Sequence, residues 1–398
     1  MLRCNLKRVF LAIIVACLAG NPSAFAQQKA KVPDDDPEVK LGRENAKAND
    51  EQPGIKFITD AKLLDKVNKI GQEIAAIANA QKIPATWGNA DVKKFNYSFK
   101  IVDDKDVNAY SLPGGFIYVN KGLLDYVHSD DELAGVLAHE IAHAAHHHMM
   151  KLLKEQSKMQ PYLPLILLAA IIAGGKGTDL SALVIAGQLY MVAKLNSYGV
   201  EAEKDADQTG LRYLTHTKYN PVGLLTFMER LARDETRKPD VELGIYRTHP
   251  PSPDRARSLI AQLEFMEIAV NRHTTDPYLS AKVAKVTVNG VSMAEVTFVQ
   301  KSIAKMAAAG GITAEVRAER FANALNDLMD KNLQIYEVKL NGDKSGILAR
   351  NQLLAAFTSA DSEPLGMTVE KLAQSTVDAV RNLIWQTQFD RIPATSSR

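Results

Sequence analysis

One stretch constrains this chain more than any other: VLAHEIAHAAHHHMM, from Val136 to Met150. It holds five histidines and one carboxylate. His139 and His143 are four residues apart, so on a helix they share a face, about 6 Å apart along the axis. Glu140 stands between them. This is the H-E-x-x-H arrangement, in which two imidazoles ligate zinc and the carboxylate serves as general base. The start of the helix is marked by Ser129, a good N-cap, with Glu132 three residues on as a capping box. Leu133, Val136, Leu137, Ile141 and Ala144 supply an apolar side, so a long, buried helix is expected.

Two histidines do not complete a site, because zinc in hydrolases takes three protein ligands and a water. His146 returns to the His139 face but lies roughly 10 Å along the axis, out of reach of a single ion with bonds of about 2 Å. His148 is expected to point away, and the run His146–His148 to form a partly exposed helix end. A better third ligand is Glu203, in YGVEAEKDADQTGLRYL (Tyr198 to Leu214). Glu203 and Asp207 are again four apart, so one can bind metal while the other accepts a ligand histidine's free N–H and fixes its tautomer. Glu201 and Asp205 compete for these roles, and spacing alone does not separate them.

The 398 residues suggest two or three domains, with ordinary globular composition, 46% hydrophobic and 24% charged. Residues 1–26 read as a secretory signal peptide: MLRCNLKR is basic, VFLAIIVACLAG apolar, and AFA a small-residue cleavage site before Gln27. A membrane anchor and lipid attachment at Cys17 are the rival readings. Cleavage would remove Arg3, Lys7 and Arg8, so Lys+Arg falls from 48 to 45 against 46 Asp+Glu. It would also remove Cys4 and Cys17, leaving an exported chain that forms no disulfides. A near-neutral chain without a basic block argues against nucleic acid as a partner.

Residues 27–36 form a polar lead-in ending in DDD. Leu63 to Ala78 has helical periodicity, FNYSFKIVDD alternates like a strand, and NAYSLPGGFIYVNKGLL carries a Pro113-Gly114-Gly115 turn before a strand over FIYV. Leu163 to Ala173 is uncharged but shorter than the roughly 20 residues a bilayer requires; a buried helix packing near the active site fits, as does a membrane-dipping or partner-binding flap. THPPSPDRA, Thr248 to Ala256, is a loop leading into a helix. Residues 275–398 read as a repeated unit. Asn289-Gly290 and Asn341-Gly342 mark hairpins, each followed by a similar helix, TAEVRAERFANAL from Thr313 and TVEKLAQSTVDAV from Thr368.

At NAYSLPGGFIYVNKGLL, HEIAHAAHHH, EKDADQTG and THPPSPDR the chain resembles the gluzincin-type zinc metallopeptidases. These include CAAX prenyl endopeptidases, the bacterial heat-shock membrane protease and the periplasmic β-barrel assembly-enhancing protease. The resemblance covers about Pro37 to Val270, and the periplasmic branch fits best. It implies a mainly helical zincin-like metalloprotease domain with a small edge-strand sheet over 37–272; with the two hairpin–helix units read above as an accessory α+β domain over 275–398, the fold class is α+β. The family's E-x-x-A-D falls on Glu203, Ala206 and Asp207 and so favours Glu203 as ligand. By the same resemblance the strand Phe116, Ile117, Tyr118, Val119 would pair with an extended substrate. His249 would lie near the zinc, as its blocker or as an oxyanion donor, and His148 matches a family histidine that is not a ligand. Two departures stand out. A Ser-Arg that many members carry reads Gly199-Val200 here, and 275–398 lacks the tetratricopeptide tail, whose repeat is about 34 residues.

The function implied is an exported, zinc-dependent metalloendopeptidase with one ion per chain. It would act in the periplasm of a Gram-negative bacterium on misfolded or unassembled envelope proteins. Its partners would be protein or peptide substrates, with peripheral contact to membrane or envelope assembly machinery. A periplasmic chaperone or assembly factor with latent protease activity is the alternative, and a structural zinc site is the third reading.

Overall fold

Three helices close around the H-E-x-x-H helix because it is apolar on nearly every side. In the computed structural model, which describes residues 36–89, 93–159, 199–237, 243–249 and 253–387, that helix is α4 (Asp130–Ala145). It follows α1 (Pro37–Asp50), α2 (Ala61–Ala80) and the short α3 (Lys121–Tyr126). Leu133, Ala134, Leu137, Ala138, Ile141 and Ala142 on α4 are fully buried. Against it pack α2, α6 (Val200–Leu214) and α7 (Val222–Arg237). Close approach is bought with glycine: a Cβ on Gly135 would stand 2.7 Å from the Leu224 Cα of α7. On the other flank, a Cβ on Gly210 of α6 would lie 3.1 Å from the Ala138–His139 backbone.

The N-terminus of α4 is capped as expected on one side only. Ser129 Oγ accepts from Glu132 N at 3.2 Å. The Glu132 carboxylate reaches past the cap to accept from His128 N at 2.7 Å, and Arg230 of α7 binds its outer side. At the other end α4 stops at Ala145. His147 turns the chain with φ 56°, and α5 (His148–Met159) starts at once. The three consecutive histidines are buried. The expectation of a partly exposed helix end is therefore wrong: the reversal folds them inward, under the loop that precedes β1.

The first sheet contains β1 (Ser98–Val102), β2 (Ala109–Leu112) and β3 (Phe116–Asn120), in the order β1–β3–β2. The Pro-Gly-Gly turn forms as read, with Gly114 and Gly115 at φ 77° and 89°. The substrate-strand assignment for Phe116, Ile117, Tyr118 and Val119 does not hold. β3 is the central strand, parallel to β1 and antiparallel to β2, so both sides of its backbone are already paired. The outer strand beside α4 is β2. Sequence alternation identifies a strand but not its neighbours, which depend on how distant segments pair.

After α8 (Gly244–Thr248), α9 (Pro253–Phe265) and α10 (Arg272–Thr275), a second apolar core begins. Here β4 (Lys282–Val288), β5 (Val291–Phe298) and β6 (Lys301–Ala307) form one antiparallel meander. A second meander comprises β7 (Val338–Leu340), β8 (Gly346–Ala349) and β9 (Gln352–Ala356). Each precedes a long helix, α11 (Ala314–Asp330) and, after the short α12 (Ser359–Ser362), α13 (Val369–Thr387). The Asn289-Gly290 hairpin forms with both residues at positive φ, 48° and 81°, as a type I′ turn requires. The units are thus three strands and a helix rather than a hairpin and a helix; β6 and β9 lack a turn signature strong enough to announce them. Phe321, Leu325, Val338, Ile347, Val377 and Val380 join both units in one core.

The expected signal peptide with Cys4 and Cys17, nearly all of the lead-in, and the Leu163–Ala173 segment lie outside the described residues. Among the described residues no helix is long and apolar enough to cross a membrane.

Candidate metal centre

His139, Glu140 and His143 come from α4, Glu203 and Asp207 from α6, and His249 from the end of α8. All six are buried. One nitrogen or oxygen from each of His139, His143, Glu203 and His249 falls within 4.8 Å of all the others. His139 Nε2 lies 3.0 Å from His143 Nε2. Glu203 stands 3.3 Å from the first and 3.5 Å from the second. His249 Nδ1 is 3.1 Å from Glu203 and 3.3 Å from His139 Nε2, while its Nε2 is 3.3 Å from Glu140.

The hydrogen-bond pattern tests whether this set suits a cation. His139 Nδ1 lies 2.9 Å from Asp207 Oδ1, a charge contact that favours a proton on Nδ1. His143 Nδ1 faces His148 Nδ1 at 2.9 Å. His148 Nε2 faces two acceptors, the Trp87 carbonyl and Asp205, so it bears that ring's proton and leaves its Nδ1 to accept. His143 therefore donates through Nδ1, and its Nε2 presents a lone pair. The two Nε2 atoms, 3.0 Å apart, converge on one point where a shared proton or a cation would sit. Two imidazoles and a carboxylate are one of the donor sets that hold catalytic zinc, and the residues fit a metal.

Charge is arranged to the same end. Burial disfavours an imidazolium at both histidines, but Asp207 and Glu203 outweigh it at His139, whose pKa is pushed up to about 9. His143, with no carboxylate on its Nδ1, is held well below the usual histidine range by burial and by His139. Burial would raise Glu203, yet His249 and Arg255 hold it well below the ordinary carboxylate value. Glu140 Oε2 is buried without a hydrogen-bond partner among the described residues, as expected of a base aimed at a reactant.

Two features escaped the sequence reading. Arg255 is buried and forks onto Asp207 through Nε and Nη2, both at 2.7 Å, with Nη1 2.9 Å from Glu203. It stands inside THPPSPDR, but a charged residue in a polar loop gives no hint of burial. The other is a second buried group, His146, His148 and Asp205. Asp205 competed with Glu203 on spacing; α6 turns it away from His139 and onto these two rings. Glu201 is exposed.

Paired helices thus bring buried histidines and a buried glutamate into one cluster that could hold a metal ion. Residues 67–262 match the model of peptidase family M48, and the chain carries a domain of that metalloprotease family. Residues 295–387 match a domain of unknown function (DUF8459). The β-barrel assembly-enhancing protease of Escherichia coli (strain K12) is 25% identical over 228 residues, 56% of this chain and 44% of that protein. A putative β-barrel assembly-enhancing protease of Vibrio cholerae is 30% identical over 202 residues, 50% of this chain and 38% of that one. Metalloprotease LoiP of Escherichia coli is 29% identical over 194 residues, 48% and 70% respectively. The chain thus spans under half the length of the β-barrel assembly-enhancing proteases it matches.

Proposed function

We propose that this chain is a zinc-dependent metalloendopeptidase in which His139, His143 and Glu203 hold one ion and Glu140 is the general base. The observation that carries this is the convergence of His139 Nε2 and His143 Nε2, 3.0 Å apart, with the buried Glu203. A bound zinc would polarise a water and the scissile carbonyl. Glu140 would take the water's proton and return it to the leaving amine. Asp207 holds the His139 tautomer, and Arg255 neutralises Asp207 and Glu203 together. The outer strand β2 next to α4 supports addition of an extended substrate backbone there, which tolerates many sequences.

The relatives' names, together with the signal-like residues 1–26, support export and quality control of misfolded or unassembled envelope proteins. Contact with envelope assembly machinery follows from the same likeness. A second reading, an assembly factor with latent protease activity, is favoured by His249, whose ring is close enough to Glu203 and His139 to take part in the ligand set; otherwise the same ring would donate to the oxyanion.

The test is zinc content and cleavage of an unfolded protein by the chain and by Glu140→Gln. One zinc in both, with cleavage by the unsubstituted chain only, is the expected result. Zinc in both without cleavage favours latency, and His249→Ala should then release activity. No zinc in either overturns the site assignment.

A further inference from the structure

His148 and Asp205 are completely buried, polar and unused by the mechanism above. Asp205 is anchored from one side by the loop before β1: its Oδ1 accepts from Thr86 N, from Thr86 Oγ1 at 2.9 Å and from Trp87 N at 3.1 Å. Its Oδ2 faces His146 Nδ1 and, at 3.1 Å, His148 Nε2. The Trp87 carbonyl takes the same His148 Nε2–H at 2.9 Å. Gly88 makes this approach feasible: at φ 109°, its Cβ would lie 2.4 Å from the His146 carbonyl and 2.7 Å from the His148 ring. His148 Nδ1 then meets His143 Nδ1 at 2.9 Å.

We infer that Asp205 and His148 form a positioning relay that dictates the tautomer of His143, presenting its Nε2 lone pair to the metal. The inference rests on the proposed zinc site. It makes the two α4 ligands asymmetric. His139 is oriented by a carboxylate directly, whereas His143 is oriented by a neutral imidazole that a carboxylate and a carbonyl hold in turn. The alternative, a second metal among His146, His148 and Asp205, is disfavoured by the same bonds. Asp205 Oδ1 already accepts three donors, and the His148 Nε2 that would ligate points at a carbonyl, which requires that nitrogen to carry a proton.

Such outer hydrogen bonds are worth about 10- to 100-fold in metal affinity. Zinc affinity, by competition with a chromophoric chelator, and zinc stoichiometry are measured for the chain, His148→Leu and His148→Gln. Leucine removes the acceptor; glutamine retains one donor and one acceptor. The expected result is one zinc per chain throughout, affinity down about 10- to 100-fold in His148→Leu, and most of it restored in His148→Gln. Unchanged affinity in His148→Leu overturns the relay, as does a stoichiometry of two that drops to one in that variant. Should His148→Leu not fold, nitrogen-15 NMR of the unsubstituted zinc-loaded chain decides. His143 ligating through Nε2 with a protonated Nδ1 is expected, and ligation through Nδ1 overturns the relay. Zinc binding that is absent in the unsubstituted chain, or untouched by His143→Ala, overturns the site itself rather than the relay alone.

Discussion

Arg255 ties two buried carboxylates of the site, Asp207 and Glu203, to one cation. Its guanidinium is buried among Asp207, Glu203 and, farther off, Glu140, and these charges raise its pKa against the effect of burial. Removing it leaves two carboxylates buried without their common cation, which costs about 3–5 kcal/mol where one partner of a buried pair is lost. Arg255→Leu should lower the urea-unfolding free energy by about that much. Arg255→Lys should recover only part of it, since an ammonium cannot fork onto Asp207 and reach Glu203 at once. For the base, Glu140→Gln should keep zinc and the unfolding midpoint while lowering kcat about 10²- to 10⁴-fold. The H-E-x-x-H residues are legible in sequence because their relation is local, set by 3.6 residues per turn. The part played by Arg255 is not, because its partners lie about fifty residues away on α6.

At the scale of elements, α4 is held by close helix contacts and by an ion cluster near its N-terminus. Gly135→Val would drive a branched side chain into the α7 backbone, and overpacking of this kind costs about 1–3 kcal/mol; thermal unfolding should report it. Arg230 sits against Glu132 and Asp276, with His128 beside them. Burial would raise Asp276, but the bonds from His128 and Tyr278 N and the charge of Arg230 hold it below the usual carboxylate range. A depressed folded-state value adds stability above the unfolded pKa of about 3.9, lost as pH falls through the folded value. Asp276→Asn should therefore lower the urea midpoint at pH 7, and the gap to the unsubstituted chain should shrink below about pH 4. Neither contact was visible beforehand: Ser129 and Glu132 announced a capping box, but the glutamate's principal partner is on another helix.

For the molecule as a whole, two apolar cores meet at a narrow junction. One draws on Val39 to Leu263 and the other on Ala281 to Ile384. Between them, Arg272 forks onto Glu229 at 2.8 Å and His273 pairs with Asp330. We expect residues 277–387 to fold alone, with one cooperative urea transition monitored at Trp385, because their core borrows nothing from the first. Separate transitions for α11 and α13 would show instead that the two units are independent.

By itself the sequence determined what depends on near neighbours. The H-E-x-x-H face, the capping of α4, the Asn-Gly turn and the α+β alternation all follow from helix period, φ preferences and local hydrogen bonds. Spacing left open which carboxylate joins the histidines, and the tertiary structure brings up Glu203, since α6 presents Glu203 and Asp207 to α4 only where Gly210 lets the helices touch. It also decided that β3 lies in the middle of its sheet and that the three consecutive histidines are buried. Those outcomes turn on pairing and packing between segments tens of residues apart, and burial then gives each polar group one set of partners.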